Sequence, residues 1–203
     1  MTTPIKKPAR SYHHGDLKTA LVEAAASIVR TKGLDALTLR EVARRTGVSA
    51  AAPYRHFPDR RALVAAVAER GFVRLGEAMI AGMQSAGGRG GFKQVALAYV
   101  EFGLANPAEY RVMFGPEMAD TRDFPSLRET GRGVLGGVAE TVSQLQNAGL
   151  IGPGDPWLMA SALWSTLHGL VMLTLDGQTE GVADSDALVE EATRIVMFGM
   201  APR

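Results

Sequence analysis

Thr38-Leu39-Arg40-Glu41-Val42-Ala43-Arg44-Arg45-Thr46-Gly47-Val48-Ser49-Ala50-Ala51-Ala52-Pro53-Tyr54-Arg55-His56 reads as a helix, a tight turn and a second, shorter helix. Thr38 followed three residues later by Glu41 is a capping-box pattern, and Leu37 and Val42 sit where a hydrophobic staple would close. Gly47 can take the positive φ of a tight turn, after which Val48 can point inward. Ser49 is a good N-cap for a helix from Ala50 to about His56. Pro53 falls early in that helix. Its missing N–H would otherwise pair with the Ser49 carbonyl, so the first turn is weakened rather than broken.

Two such helices form a hairpin in many all-α proteins. Here the surrounding chemistry argues for more. Arg40, Arg44, Arg45, Arg55, Arg60 and Arg61 outnumber Glu41 and Asp59. Ala50, Ala51 and Ala52 make a smooth, small surface that builds little core but can approach bases closely. In a DNA-binding helix-turn-helix the second helix enters the major groove and the first crosses the backbone.

The charge of the whole chain hides this feature. The 203 residues carry 22 Lys/Arg and 21 Asp/Glu, a formal net charge of +1. Residues 1–70 hold 13 basic against 6 acidic side chains, a net +7, and residues 71–203 hold 9 against 15, a net −6. A basic head on an acidic body suggests a polyanion-binding module joined to a module with another task. Hydrophobic residues at 46% and charged ones at 21% are an ordinary globular balance, which excludes wholesale disorder. Cysteine is absent, which excludes disulfides, thiolate nucleophiles and thiolate metal sites. The first sixteen residues have charge but no apolar core of a signal peptide, and no uninterrupted apolar run spans a membrane. A cytoplasmic protein without a membrane partner is expected.

Outward from the hairpin the chain is helical almost throughout, so an all-α fold is expected. Residues 1–15 read as a basic arm carrying Lys6, Lys7 and Arg10. Leu17, Leu21, Ala24, Ala25 and Ile28 mark a first helix that stops at Gly33. Pro58-Asp59 opens a long helix with the stripe Val64, Ala68, Phe72, Leu75, Met79 and Met83. The glycine-rich run 85–91 is a linker. Helices then follow up to Asn106, from Pro107 to Phe114, from Pro125 to about Gly149, from Asp155-Pro156 to about Leu175, and from Asp184 or Asp186 onward. Gly131, Gly133, Gly136 and Gly137 either weaken their helix or let another backbone come close. The helix to Leu175 is apolar nearly all round, as expected of one covered on more than one side.

The stretches Tyr12-His13-His14-Gly15-Asp16-Leu17, Gly33-Leu34, Thr38-Leu39-Arg40-Glu41-Val42-Ala43, Gly47-Val48-Ser49 and Tyr54-Arg55-His56-Phe57-Pro58-Asp59-Arg60 resemble the N-terminal domain of the TetR family of bacterial transcriptional regulators. The likeness spans about residues 12–63. It implies an N-terminal three-helix helix-turn-helix domain over residues 1–58 and a helical effector-binding and dimerisation domain over 59–203. Thr38, at a helix N-terminus, then holds a phosphate, and Arg40 reaches a guanine edge or a phosphate. Ser49, Ala50, Ala51 and Ala52 face the groove, where the alanines can offer only methyl contacts, for instance to thymine. That departure shifts the reading of sequence to Arg40, Tyr54, Arg55 and DNA shape. Tyr54 and His56 match family positions that touch phosphates, and Arg60 matches a basic phosphate contact at the start of the long helix. The basic arm either reaches the minor groove or is a solvated tail. Adjacent His13 and His14 do not face the same way, so no metal site is expected.

In the acidic body, residues 99–114 and Trp164-Ser165-Thr166-Leu167-His168-Gly169 are similar to one C-terminal subgroup of the family, marked by a Trp…His-Gly motif. Phe102, Tyr110, Met113, Phe114, Trp164, His168 and Met172 are the candidate effector-pocket residues. Trp164 and His168, at i and i+4, share a helix face. His168 is either a polar group in that pocket or a core histidine bonded to a backbone carbonyl. The expected function is a ligand-responsive regulator, a repressor by family habit. It binds a palindromic double-stranded DNA operator as a homodimer through its last two helices, and a largely apolar small molecule releases it. Alternatives are a ligand-independent architectural DNA binder and a helical enzyme with a basic head. No catalytic residue, cofactor or metal is expected, since no acid–base cluster, phosphate loop or nucleophile elbow is present.

Overall fold

The computed structural model describes residues 14–85, 91–182 and 185–199, so Lys6, Lys7, Arg10, His13 and Asp184 lie outside the described residues. Among the described residues the chain is built of eight α-helices, with three single 3-10 turns and no strand. They are α1 (His14–Lys32), α2 (Leu39–Thr46), α3 (Arg60–Ser85), α4 (Gly91–Ala105), α5 (Pro107–Phe114), α6 (Pro125–Asn147), α7 (Pro156–Leu175) and α8 (Ser185–Gly199). The chain divides into two compact units, up to Leu63 and from Val64. The division falls inside the first turn of α3 rather than before it, near residue 58.

In the first unit α1 packs on α2. Leu21, Ile28, Leu37 and Val42 are fully buried, so the i, i+4, i+7 stripe of α1 and the staple pair do supply its core. The turn works as the glycine requires. Gly47 takes φ 70°, and the Val48 N–H returns to the Ala43 carbonyl at 3.1 Å.

The segment after Ser49 differs from the expected α-helix. Residues 50–52 form a turn and Pro53–Arg55 a single 3-10 turn. Pro53 has no N–H for the Ser49 carbonyl, so the Ala52 N–H takes that carbonyl at 3.0 Å. The i+3 pattern continues from Arg55 to Ala52 at 3.2 Å and from His56 to Pro53 at 3.0 Å. A proline that weakens one α-turn has tightened the whole short segment.

In the second unit α7 packs on α4, α6 and α8. Leu75, Tyr99, Val100, Tyr110, Leu163, Leu167 and Val171 form the centre of its core. Asp155 caps α7 by accepting from the Trp157 and Leu158 N–H groups. By length and mean hydropathy α7 is a helix that could cross a membrane. Ser161, Ser165, Thr166 and His168 interrupt it, and its buried stripe of Ala160, Leu163, Leu167 and Val171 belongs to the core. The rest of α7 is less covered than its composition led one to expect: Trp157, Leu158 and Leu173 are exposed.

Candidate nucleic-acid interface and effector cavity

Thr38 caps α2, its Oγ1 accepting from the Glu41 N–H at 3.1 Å. The return half of the capping box is not made. The Glu41 carboxylate instead accepts from Arg44 Nε and Nη2, both at 2.8 Å, and from Lys32 Nζ at 2.9 Å. Bonding to Arg44 first, and to Lys32 second, pulls the Glu41 carboxyl down to about 2. It is therefore ionised at neutral pH and pairs with both cations at the protein surface. Arg45 donates to Ser27 Oγ at 2.8 Å, tying α2 to α1.

What remains uncommitted is a short list. Arg40, Tyr54 and Arg55 are exposed and make no side-chain hydrogen bond or ion pair among the described residues. Ser49, Ala50 and Ala51 are exposed beside them, while Ala52 and His56 are half-buried. The His56 ring lies 6.5 Å from that of Phe57, which is buried. An arginine that binds nothing in its own protein keeps all five donors for a partner.

Arg60 behaves otherwise. Its Nε donates to the Leu37 carbonyl and its Nη2 to the Leu34 carbonyl, each at 2.9 Å. The guanidinium expected on a phosphate is used to hold the turn that leads into α2. The Leu34 carbonyl already accepts from the Leu37 N–H at 3.0 Å and takes the guanidinium as a second donor, while the Leu37 carbonyl takes it beyond the end of the 3-10 turn.

The residues expected to line a pocket come together, but as packed core. Phe102, Tyr110 and Met113 are buried, and Phe114, His168 and Met172 are half-buried against the same cluster. Of the expected set only Trp164 lines either of the two cavities described below. The Tyr110 ring stacks on His168 at 5.6 Å, and Phe114 meets His168 edge-on at 4.6 Å.

Polar atoms inside this cluster form a chain. Trp164 Nε1 donates to the Tyr99 hydroxyl at 2.8 Å, Tyr99 meets the Tyr110 hydroxyl at 2.8 Å, and Tyr110 meets His168 Nδ1 at 2.8 Å. The indole can only donate. If Tyr99 then donates to Tyr110 and Tyr110 to Nδ1, every donor has an acceptor. Running the other way strands the Tyr99 proton among the described residues. His168 is therefore neutral with its proton on Nε2. Burial holds its pKa below the ordinary histidine value, pushes Tyr99 up to about 12 and pushes Tyr110 up further. His168 is thus a core histidine whose partner is a tyrosine, not a backbone carbonyl.

An open groove lies between α3, α4 and α6, and an inner chamber extends from it to Leu163, Trp164 and Leu167 of α7. The groove, of about 350 Å³, is bounded by Phe72, Val73, Met79, Ile80 and Met83 of α3, Phe92 and Val95 of α4, and Thr130, Gly133, Gly137 and Thr141 of α6. It shares Phe72, Met79, Val95, Val134 and Val138 with the inner chamber, which has a volume of about 30 Å³ and also reaches Tyr99. The glycines of α6 explain the opening. A Cβ at Gly133 or Gly137 would meet nothing within 4 Å. Gly131 faces the Phe72 ring and Gly136 the Trp157 ring, so these two admit side chains rather than another backbone. The α3 wall is hard to see in sequence because exposed Val73 and Ile80 fall outside the single stripe that marks the core.

A second polar cluster joins α3 to α5. Glu109, buried at 6% exposure, accepts from Arg70 Nη1 at 2.6 Å and from Arg74 Nη1. Arg74 also donates to Asn106 Oδ1 at 3.3 Å and lies 5.5 Å over the Phe102 ring. Gly71, between the two arginines, makes room for Met113, whose Sδ would lie 2.5 Å from a Cβ there.

Comparison with known proteins follows the same division. Residues 21–67 match the family of bacterial regulatory proteins of tetR type, and residues 92–196 match the tetracyclin repressor-like C-terminal domain. A protein with unknown function from Rhodococcus sp. RHA1 has a solved structure 36% identical to this chain, with TM-score 0.82, covering 95% of this chain and 100% of that one. A TetR family transcription regulator from Marinobacter aquaeolei VT8 superposes with TM-score 0.69 at 21% identity, over 92% of this chain and 96% of that one, a likeness of fold. An uncharacterised HTH-type transcriptional regulator of Mycobacterium tuberculosis is 42% identical over 57 residues, 28% of this chain, and the match spans 30% of that relative's length.

Proposed function

The chain belongs to the TetR family of transcriptional regulators, not enzymes, and from that premise we propose that it is a ligand-responsive repressor acting in the cytoplasm. It binds a palindromic operator as a homodimer and leaves it when a small, largely apolar molecule enters the groove between α3, α4 and α6. The observation that carries this reading is the pairing of an uncommitted cationic face with an apolar cavity. Arg40, Tyr54 and Arg55 are exposed and unpaired among the described residues at the helix-turn-helix, and the other unit contains the groove.

Roles on the DNA follow from position. Arg40 is the base-edge reader, because a free guanidinium can address guanine O6 and N7 together. Thr38, Tyr54, Arg55 and His56 hold phosphates. Ser49 and the exposed methyls of Ala50 and Ala51 set the distance to the groove floor and favour thymine. Two half-sites about 34 Å apart require two chains. The exposed Trp157, Leu158 and Leu173 of α7 and Ile195 of α8 are apolar area that a second copy would cover.

Selection of genomic fragments bound by the full chain would yield the operator, and the adjoining genes would point to the effector. On that operator, Tyr54→Ala and Arg55→Ala are expected to weaken binding and to lower the salt dependence by about one counterion each. Normal binding by both variants at several salt concentrations would place the DNA on another face.

A further inference from the structure

Resting on the reading of the groove as the effector site, we infer that its effector is an amphipathic monocation with its charge near the middle and apolar groups on both sides. The groove selects for this by what it contains and by what it lacks. Its walls are Phe72, Val73, Ile80, Met83, Phe92 and their neighbours. Among all the lining residues one carries an ionisable side chain, and it is a carboxylate, Glu77.

Glu77 is exposed and has neither an ion-pair nor a hydrogen-bond partner among the described residues. Arg128, on α6, is not among the lining residues, and four other basic residues of these helices are engaged elsewhere. Arg70 and Arg74 hold Glu109, Arg132 lies 5.3 Å over the Trp157 ring, and Lys93 pairs with Glu190 at 3.0 Å. An anion entering the groove would meet an uncompensated carboxylate and no cation among the lining residues. A cation would meet that carboxylate together with the faces of Phe72 and Phe92 and the polarisable sulfurs of Met79 and Met83. The −6 charge of residues 71–203 adds a field of the same sign.

The position of Glu77 sets the architecture of the ligand. The α3 wall runs from Phe72 to Met83, which is about 16 Å of helix at 1.5 Å per residue. Glu77 lies midway, so the charge belongs at the centre of the molecule. The facing α6 wall, from Thr130 to Thr141, has the same length and is open at Gly133 and Gly137.

The test uses three probes with two benzyl arms and different centres: dibenzyldimethylammonium, 1,3-diphenylpropan-2-ol and dibenzylacetate. Calorimetric binding to the full chain is expected to follow the order cation, alcohol, anion, with the cation about tenfold tighter than the anion. Glu77→Gln, a change at an exposed residue, should abolish that preference and Glu77→Lys should reverse it. Gly137→Leu fills the groove, favours the helix and should remove binding of all three probes while leaving the chain folded by circular dichroism. The inference is overturned by an anion that binds as tightly as the cation, by a cation preference that survives Glu77→Gln, or by binding that survives Gly137→Leu. Release from the selected operator is a separate readout. A cation that binds through Glu77 without releasing DNA supports the ligand class and refutes the regulatory reading.

Discussion

Replacing Tyr110 by phenylalanine deletes one oxygen from the centre of the second unit. Tyr110 has 0% and Tyr99 2% of its surface exposed, so water cannot take the place of that oxygen. Two hydrogen bonds are lost, each worth about 1 kcal/mol net. The Tyr99 proton is also stranded, which costs about 1–3 kcal/mol for a buried donor. His168 is half-buried and can recruit water, so its loss counts little. The expected destabilisation is about 3 kcal/mol. Tyr99→Phe should cost about half as much, because Tyr110 keeps its bond to His168 and the half-buried Trp164 can rehydrate. The double variant should cost less than the two singles added, since the stranded Tyr99 proton no longer exists. Urea unfolding followed by tryptophan fluorescence suits the measurement, because both tryptophans, Trp157 and Trp164, lie on α7. A Tyr110→Phe cost below about 0.5 kcal/mol, or strict additivity, would refute the directed chain from Trp164 to His168.

The same histidine makes stability depend on pH. Its folded pKa lies below 6.5, so the unfolded chain takes up the proton first as the pH falls through that value. Stability contributed by neutral His168 should be complete above about 6.5 and decline below it, and denaturant midpoints of His168→Gln should lack that slope. Arg60→Met keeps the apolar stem and removes the donors to Leu34 and Leu37. It should destabilise the first unit by about 2 kcal/mol and speed amide exchange at residues 37–42; unchanged exchange would return Arg60 to a purely phosphate-facing role. Glu109→Gln strips the charge partner from Arg70 and Arg74 and should cost about 2–3 kcal/mol in urea unfolding, less than for a fully buried pair because both arginines reach water. Leu158→Glu places a charge on exposed apolar α7 and should convert a two-chain solution mass to one; a wild-type mass of one chain would end the dimer proposal.

How much of this was legible beforehand depends on the range of the interaction. Gly47, Thr38 with the Glu41 N–H, the stop at Gly33 and the bounds of α5 and α7 are all set within a few residues, and spacing alone locates them. Pro53 was visible too, but its effect was underestimated. A missing donor shortens the whole segment when too few residues follow to re-form an α-turn. The bonds of Arg60 and Glu41 within the protein are not legible from spacing for a related reason. Which partner a charged side chain takes depends on groups 23 or 26 residues away at Leu37 and Leu34, or on Lys32 rather than the box's own N–H.

The cavity was least legible. Phe102, Tyr110, Met113 and His168 have the composition of a pocket wall, yet composition does not distinguish a filled volume from an empty one. By itself the sequence determined the family, the all-α class, the helix-turn-helix and the split between a basic head and an acidic body, because local capping, periodicity and charge need no knowledge of distant neighbours. Only the tertiary structure decided that Phe102, Tyr110 and Met113 are buried core, that Trp164 borders an inner chamber, and that an open groove runs along Gly133 and Gly137. Whether a side chain is filled around or left open is a property of how helices meet, and no single helix encodes it.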